Sequence, residues 1–345
     1  MKNLIKQNTY VKISNEIHPN QASVKTFYSK PNKADKLDFK IVDEIIEINK
    51  EIGKIDMGGE WKFHNNITRK DYVKALHNHD KQKLAKLFPS LFQNQCSSAM
   101  ISPSINIVKD FNLSSQMCWD LDALAEFSES KYKYSFLDTP KIGSPFGLNI
   151  DGYKILPDSA RHLFFAEKVR NLAHKSKDNI LEIGGGYGGL IYFLKKLNFK
   201  ETYFNIDIPE SLYVCYYYLR KNNINCEFLT DNKTIKKDIV YLIPSNFYKE
   251  VTKNIKFNVF FNSASLSEMD RGVCFEYIEM VNRKRPKYIL HCNSNYLTFP
   301  DSKIHVEVLA KDFPIDKNLY HIVYKNISPF QGASGRYRIY LYKLN

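Results

Sequence analysis

Asn179-Ile-Leu-Glu-Ile-Gly-Gly-Gly-Tyr-Gly-Gly-Leu190 is the stretch on which the fold turns. Its first residues read as a short buried strand. The glycines then let the backbone turn sharply and approach a ligand closely before a helix opens. Gly184, Gly186 and Gly189 satisfy G-x-G-x-x-G, the dinucleotide spelling, while Glu182, Gly184, Gly186 and Gly188 satisfy E-x-G-x-G-x-G. Both describe a nucleotide cradle, with Gly185 inside the turn. The surroundings must choose between them.

Downstream, Leu190 to Leu197 predicts a helix and Glu201 to Ile208 a second strand, ending in Asp207, 21 residues after Gly186. A carboxylate there accepts hydrogen bonds from both ribose hydroxyls of an adenosine ligand. Pro209 to Asn222 carries Leu212, Val214, Cys215, Tyr218 and Leu219 at helical spacing, with Tyr216-Tyr217-Tyr218 divided between core and surface. Strands follow at Cys226 to Leu229 and Ile239 to Ile243, and the loop Pro244-Ser245-Asn246 is placed to hold an adenine edge, with Asp231 as its competitor. Phe257 to Phe261 is the next strand and runs into Asn262-Ser263-Ala264-Ser265-Leu266-Ser267-Glu268-Met269. After a helix from Arg271 to Asn282, the strand Tyr288 to Cys292 is expected to bring His291, Asn293 and Asn295 to the same edge, since ligands gather at the carboxyl ends of such strands. Tyr320 to Lys325 and Arg336 to Leu344 alternate and flank a loop with Pro329, Gly332 and Gly335, which predicts an antiparallel hairpin.

Upstream, Pro157-Asp158-Ser159 opens a helix through Ala173 that puts Arg161 and His162 near its start and leads into the cradle strand. Before it, Gly143-Ser144-Pro145 and Asp151-Gly152 predict turns around a short hairpin. Residues 1 to about 38 read as an arm or irregular lead-in. Asp38 to Ile52 has the helical period, and the Asp56 to Trp61 loop ends it at paired glycines. Thr68 is a candidate N-cap for helices broken near Asn78 and Pro89. His77 and His79 face different directions on a helix and complete no metal-ligand set. Trp119, Asp120 and Asp122 read as capping or surface groups. The division expected is a mainly helical segment, 1–140, serving as substrate lid or oligomerisation unit, and a cofactor-binding domain, 141–345.

The chain has 345 residues, 43% hydrophobic, with 23 Phe and 23 Tyr, which excludes disorder as its default state. Its net charge of +13 comes from scattered lysines, as on a solvated surface, and does not mark a nucleic-acid partner. Six dispersed cysteines without C-x-x-C spacing suit a reducing cytoplasm, and no secretory signal or membrane span is expected.

Several stretches together resemble one family, the sugar O-methyltransferases of bacteria. They are Gly143-Ser144-Pro145 with the Gly152 turn, the cradle Leu181 to Leu190, Asp207-Ile208-Pro209-Glu210, Tyr241 to Pro244, and Asn262 to Met269. At Ser144 the chain departs from the family's usual Gly-Asn-Pro. The resemblance implies an α/β class I methyltransferase, Rossmann-like, with a seven-stranded sheet and terminal antiparallel hairpin behind a helical front. It implies S-adenosyl-L-methionine as cofactor and a sugar, sugar-nucleotide or glycan acceptor in capsule, lipopolysaccharide or glycoside biosynthesis. Homo-oligomerisation stays open. The expected cofactor contacts are Glu182, Gly184, Gly185, Gly186, Asp207, Ile208, Pro244, Ser245 and Asn262. Arg161, Tyr187, Ser265 and Asn293 are expected at the acceptor.

A sugar hydroxyl needs its proton removed as it attacks, so a general base is required. His291 and Glu268 are the leading candidates and His162 the third; no metal is expected, because Glu268 and Asp270 alone do not build a site. Three alternatives stay open. They are methylation of another oxygen such as a phosphate-type glycan substituent, a nicotinamide-dependent oxidoreductase using Gly184, Gly186, Gly189 and Asp207, and a binding module without turnover.

Overall fold

The computed structural model describes residues 24–53, 59–103, 105, 110–174, 178–296, 306–330 and 336–345. Most of the expected arm, the tip of the Asp56 to Trp61 loop, and Gly332 with Gly335 lie outside them.

Where it is described, the lead-in holds a strand, β1 (Val24–Tyr28), and is irregular over residues 29–35. Strand β1 pairs antiparallel with β2, Phe146–Ile150, which pairs in turn with β3, Tyr153–Ile155. Asp151 and Gly152 join the last two with positive φ angles, as a tight hairpin requires. The pairing of Tyr28 with Phe146 means that the segments on either side of residue 140 share a sheet. Local patterning could not reveal it, because the partner lies more than a hundred residues away.

Helix α1, Lys36–Ile52, starts at a reciprocal capping box in which Asp35 and Asp38 each accept the other's backbone N–H at 2.8 Å. Its stripe Ile41, Val42, Ile45, Ile46 and Ile52 is buried. There follow α2 (Gly59–Phe63), a π turn (His64–Thr68), α3 (Lys70–His77), α4 (Lys81–Leu87), a 3₁₀ segment (Phe88–Gln93), α5 (Asp110–Phe127) and α6 (Tyr134–Leu137). Thr68 does not cap α3. Arg69 holds the N-cap position, and the Thr68 hydroxyl donates back to the His64 carbonyl at 3.0 Å.

Helix α7 (Ser159–His174) leads into the main sheet. Its strands are β4 (Ile180–Ile183), β5 (Tyr203–Asp207), β6 (Cys226–Phe228), β7 (Val240–Pro244), β8 (Val259–Ser263), β9 (Tyr288–Ser294), β10 (Tyr320–Ile327) and β11 (Tyr337–Leu344). The helices between them are α8 (Gly189–Lys196), α9 (Pro209–Lys221), α10 (Tyr248–Val251) and α11 (Arg271–Lys284). The order across the sheet is β10-β11-β9-β8-β4-β5-β7-β6. Every neighbouring pair is parallel except the two that involve β11. This is the Rossmann-like class I methyltransferase arrangement with its reversed terminal hairpin, behind a helical front. The sheet has eight strands, one more than expected, because the short β6 adds to the β7 edge.

The central strands are buried on both faces, as parallel strands covered by helices must be. Alternate residues sort into two cores: Ile180, Tyr203, Leu242, Phe261 and Leu290 face α7 to α9 and the front helices, while Leu181, Phe204, Ile243, Phe260 and Ile289 face α11. The tyrosine run on α9 belongs wholly to the core. Tyr213, Tyr216 and Tyr217 donate to Asn49, Glu44 and Asp38 of α1 at 3.1, 2.8 and 2.7 Å, so each ring brings its own partner for the buried hydroxyl. Among the described residues no helix is long and apolar enough to cross a membrane. All six cysteines are free thiols.

Candidate functional site

The turn from β4 into α8 carries the first elements of the site. Gly184 continues the ladder by donating to the Ile206 carbonyl at 2.8 Å, with φ of +75°. A Cβ at this position would lie within 2.5 Å of Ser265 Cβ, so both the dihedral and the space demand glycine. Two side chains at the end of β5 then hold the turn. Asn205 Oδ1 accepts from Gly185 N at 3.1 Å, and Asp207 Oδ2 accepts from Gly186 N at 3.1 Å. The other Asp207 oxygen accepts from Ile208 N at 2.8 Å. Burial raises this carboxyl to about 7, against the pull of those two backbone bonds.

Glu182 stands one strand over on the same face. It is buried and accepts from the Tyr203 hydroxyl at 2.7 Å. Burial pushes it up to about 8, the Tyr203 bond opposing. Two carboxylates on adjacent strands therefore flank the glycine turn, each poorly solvated.

These groups open on a cleft of about 980 Å³. The start of α7 contributes Asp158, Arg161 and His162. Arg161 pairs with Asp158 at 3.2 Å, and its Nε is buried with no hydrogen-bond partner. Asp158 also accepts from Ser102 N at 2.7 Å and thereby ties the 98–103 segment, another wall of the cleft, to α7. His162 lies 3.2 Å from the Tyr187 hydroxyl, and burial together with the Arg161 charge holds its ring well below the ordinary histidine range.

Opposite, the end of β8 and the loop after it contribute Ser263, Ala264, Ser265, Glu268, Met269 and Asp270, and Ser245 and Asn246 follow β7. Ala264 has φ of +70°, an uncommon value for alanine, and a side-chain network surrounds it. Asn262 Nδ2 donates to Ile183 O at 2.8 Å and to Ser265 Oγ at 2.6 Å. Asn293 Nδ2 donates to Asn262 Oδ1 at 2.7 Å, and Asn293 Oδ1 accepts from Ser267 N and Oγ, both at 3.3 Å.

Several expected residues thus meet at one cleft: Glu182, Gly184, Gly185, Gly186, Asp207, Ile208, Ser245, Arg161, His162, Tyr187, Ser265 and Glu268 all line it. Four do not. Asn262 and Asn293 are fully buried beneath the loop and shape it from below. Pro244 ends its strand short of the cleft wall. His291 is the largest correction. Strand β9 runs to Ser294, two residues beyond the expected end, so His291 sits below the edge and points to the α11 face. It is fully buried, stacked on Tyr340 at 5.0 Å between centroids, and burial lowers it to about 3. A neutral ring out of reach of the cleft has no route to a substrate proton.

Other expectations fall away from the cleft as well. Asp231 is exposed beside β6. Trp119 is half exposed and donates to Pro329 O at 3.0 Å, and His77 lies 4.0 Å from Glu210. Conversely, the front wall formed by Trp61, His64, Thr68 and Met100 was not foreseen. Asn205 was missed too, although its place two residues before Asp207, on the same strand face, was a usable signal.

No family model matches the chain, and no curated protein matches it. Among solved structures, the small RNA methyltransferase HEN1 is similar at a TM-score of 0.42 and 14% identity, over 58% of this chain and 28% of its own. A S-adenosylmethionine-dependent methyltransferase from Clostridium acetobutylicum ATCC 824 gives a TM-score of 0.36 and 12% identity, over 52% and 90%. The CcbJ methyltransferase from Streptomyces caelestis gives 0.36 and 13%, over 55% and 90%. The chain thus spans less than a third of the HEN1 structure.

Proposed function

We propose that this chain is an S-adenosyl-L-methionine-dependent methyltransferase acting on a sugar hydroxyl in the assembly of a surface polysaccharide or glycoside in the cytoplasm. The observation that carries the choice of cofactor is the occupancy of the cradle's own amides. A dinucleotide's pyrophosphate is bound by free backbone N–H groups at the opening of a helix. Here the Gly185 and Gly186 amides already donate to Asn205 and Asp207, and Glu182 adds a carboxyl group beside them. That arrangement leaves a pyrophosphate no free amide at these two positions and suits a ligand carrying an ammonium and a sulfonium, whose positive charge would draw Glu182 into its ionised form.

The residues fit such a ligand. We assign Asp207 to the ribose hydroxyls, Ser245 and Asn246 to the adenine edge, and Glu182 to the cationic amino-acid end. Arg161, expected at the acceptor, is assigned instead to a carboxylate near the same end, on the strength of its buried Nε without a hydrogen-bond partner. When bound, S-adenosylmethionine supplies an activated methyl to a nucleophilic oxygen. The chain's part is to hold the acceptor oxygen in line and to take its proton. Glu268, on the loop fixed by Asn262 and Asn293, is suited to orient a sugar hydroxyl.

Calorimetry with S-adenosylmethionine and with NAD tests the cofactor. Release of S-adenosylhomocysteine across nucleotide-linked hexoses and 6-deoxyhexoses tests the reaction. Binding of NAD alone would point to an oxidoreductase. Cofactor binding with no turnover on any acceptor would point to a binding module.

A further inference from the structure

The protein has two tryptophans, and the fold uses them differently. Trp119 stands half exposed on α5, does not line the cleft, and commits its indole N–H to the Pro329 carbonyl at 3.0 Å. Trp61 is partly buried in the front wall of the cleft, and among the described residues its indole N–H has no hydrogen-bond partner. An indole in such a place carries an apolar body and one polar proton to give. Both are turned over to whatever fills the cleft.

The ring is held from behind. The Arg69 guanidinium lies over it, 5.4 Å from the centroid, and is itself tied to the Glu210 carbonyl and Ser211 Oγ. The His64 ring makes an edge contact with it at 5.6 Å. This bracing fixes the indole before any ligand arrives, which lowers the cost of binding against it.

Its position follows from two neighbours. Helix α2, which carries Trp61, lies against the Ser265–Glu268 turn after β8, while Arg69 reaches the start of α9 after β5. Strand β4 and its glycine turn lie between β8 and β5. Trp61 therefore stands in front of the glycine turn, with the Ser265–Glu268 turn beside it. The loop assigned to adenine follows β7, three strands from β8, or roughly 14 Å at about 4.8 Å per strand.

We infer, resting on the methyl transfer proposed above, that Trp61 is the acceptor's platform: a pyranose ring lies with its C–H face on the indole, and the indole N–H bonds one of its oxygens. With the cofactor seated on the strand edge, the acceptor oxygen must approach the methyl carbon from the side away from sulfur, which is the front. A pyranose has apolar C–H faces and a polar rim of hydroxyls. Trp61 offers an aromatic surface to the first and Glu268 a carboxyl group to the second, from the same end of the cleft.

Trp61→Phe keeps an aromatic face and lacks the N–H; Trp61→Ala lacks both. Assayed for S-adenosylhomocysteine release on nucleotide-linked hexoses and 6-deoxyhexoses, the alanine variant should raise the acceptor's KM roughly tenfold and the phenylalanine variant about threefold. In calorimetry both should bind S-adenosylmethionine within about twofold of the parent. A second measurement leaves Trp61 in place. In Trp119→Phe, Trp61 is the single tryptophan, and its emission should shift when acceptor is added to protein already saturated with S-adenosylhomocysteine. An unchanged acceptor KM in both variants, or a silent Trp61 emission in protein that turns the acceptor over, overturns the platform and leaves the function standing. So does a loss of S-adenosylmethionine affinity as large as the rise in KM, which would put the indole on the cofactor. No turnover by the parent on any acceptor overturns the function, and the platform with it.

Discussion

Replacing Glu182 by Gln should stabilise the free protein at neutral pH and weaken it as a receptor for the cofactor. Glu182 is almost wholly buried and receives one hydrogen bond, from Tyr203. Burial raises its carboxyl from 4.5 to about 8. A group whose folded value is raised gives its full stability below the unfolded value and loses it as pH rises through the folded one. The loss therefore begins near pH 4.5 and is complete above pH 8. At pH 7 the unfolded chain has released the proton and the folded chain has kept it. Over about 2.5 pH units, at about 1.36 kcal/mol each, the loss is roughly 3 kcal/mol.

The glutamine introduced by Glu182→Gln has no charge to lose, and its carbonyl still accepts the Tyr203 hydroxyl. Its second N–H is a buried donor, which offsets about 1 kcal/mol at every pH. Urea unfolding of parent and variant at pH 5, 6, 7 and 8 isolates the Glu182 contribution, because Asp207 and the other buried carboxyls are common to both. The difference in unfolding free energy should grow in the variant's favour by about 1 kcal/mol per pH unit up to pH 8. A difference that stays flat from pH 5 to pH 8 would refute the account of Glu182 as a buried carboxyl held protonated. The same substitution should cost roughly tenfold or more in S-adenosylmethionine affinity, the loss of one charge-assisted contact.

Asp207→Ala removes the acceptor of two backbone amides as well as the proposed ribose partner, and should raise the Kd for S-adenosylmethionine about 100-fold or more in calorimetry; an affinity within threefold of the parent would take Asp207 out of the ribose site. Gly184→Ala should abolish cofactor binding through its clash with Ser265, and Gly184→Ala/Ser265→Gly should recover part of it by relieving the contact but not the dihedral strain; an unimpaired single variant would disprove the packing. His291→Phe should leave turnover within about twofold and raise stability by about 1 kcal/mol, since it deletes a buried Nε2 with no partner. A tenfold fall in turnover with the cofactor still bound would return His291 to the mechanism.

The sheet was legible because each parallel strand is a short apolar run that stops at a turn residue, as Ile180 to Ile183 stops at Gly184. The cradle was legible for the same reason, together with the spacing to Asp207. What the sequence could not supply was the last two residues of β9. Side chains alternate along a strand, and the distance to the strand's end decides whether a residue reaches the edge. Ending β9 at Cys292 put His291 on the rim, whereas the observed end at Ser294 puts it beneath. Trp61 and His64 were illegible for a different reason. Their place in the cleft depends on contacts between α2 and a turn some two hundred residues later, and no periodicity encodes such a contact.

The front helices are held to the cofactor edge by more than apolar burial. Arg69, fully buried, donates to the Glu210 carbonyl at 3.0 Å and to Ser211 Oγ at 3.4 Å, at the start of the helix that follows Asp207. Tyr72 donates to the same carbonyl at 2.7 Å. These bonds hold a carbonyl in the first turn of α9 and fix the chain just after Asp207. Asp158 does the like on the other side, where its bond to Ser102 N joins the 98–103 wall to α7. Residues 61 to 103 therefore reach the cleft at two places through buried polar groups, which leave little freedom to slide without stranding a charge. The core strands supply the groups that suit the cofactor, and the front supplies the wall facing Glu268. It follows that substitutions altering the choice of acceptor belong on Trp61 and His64, whose side chains line the cleft from the front.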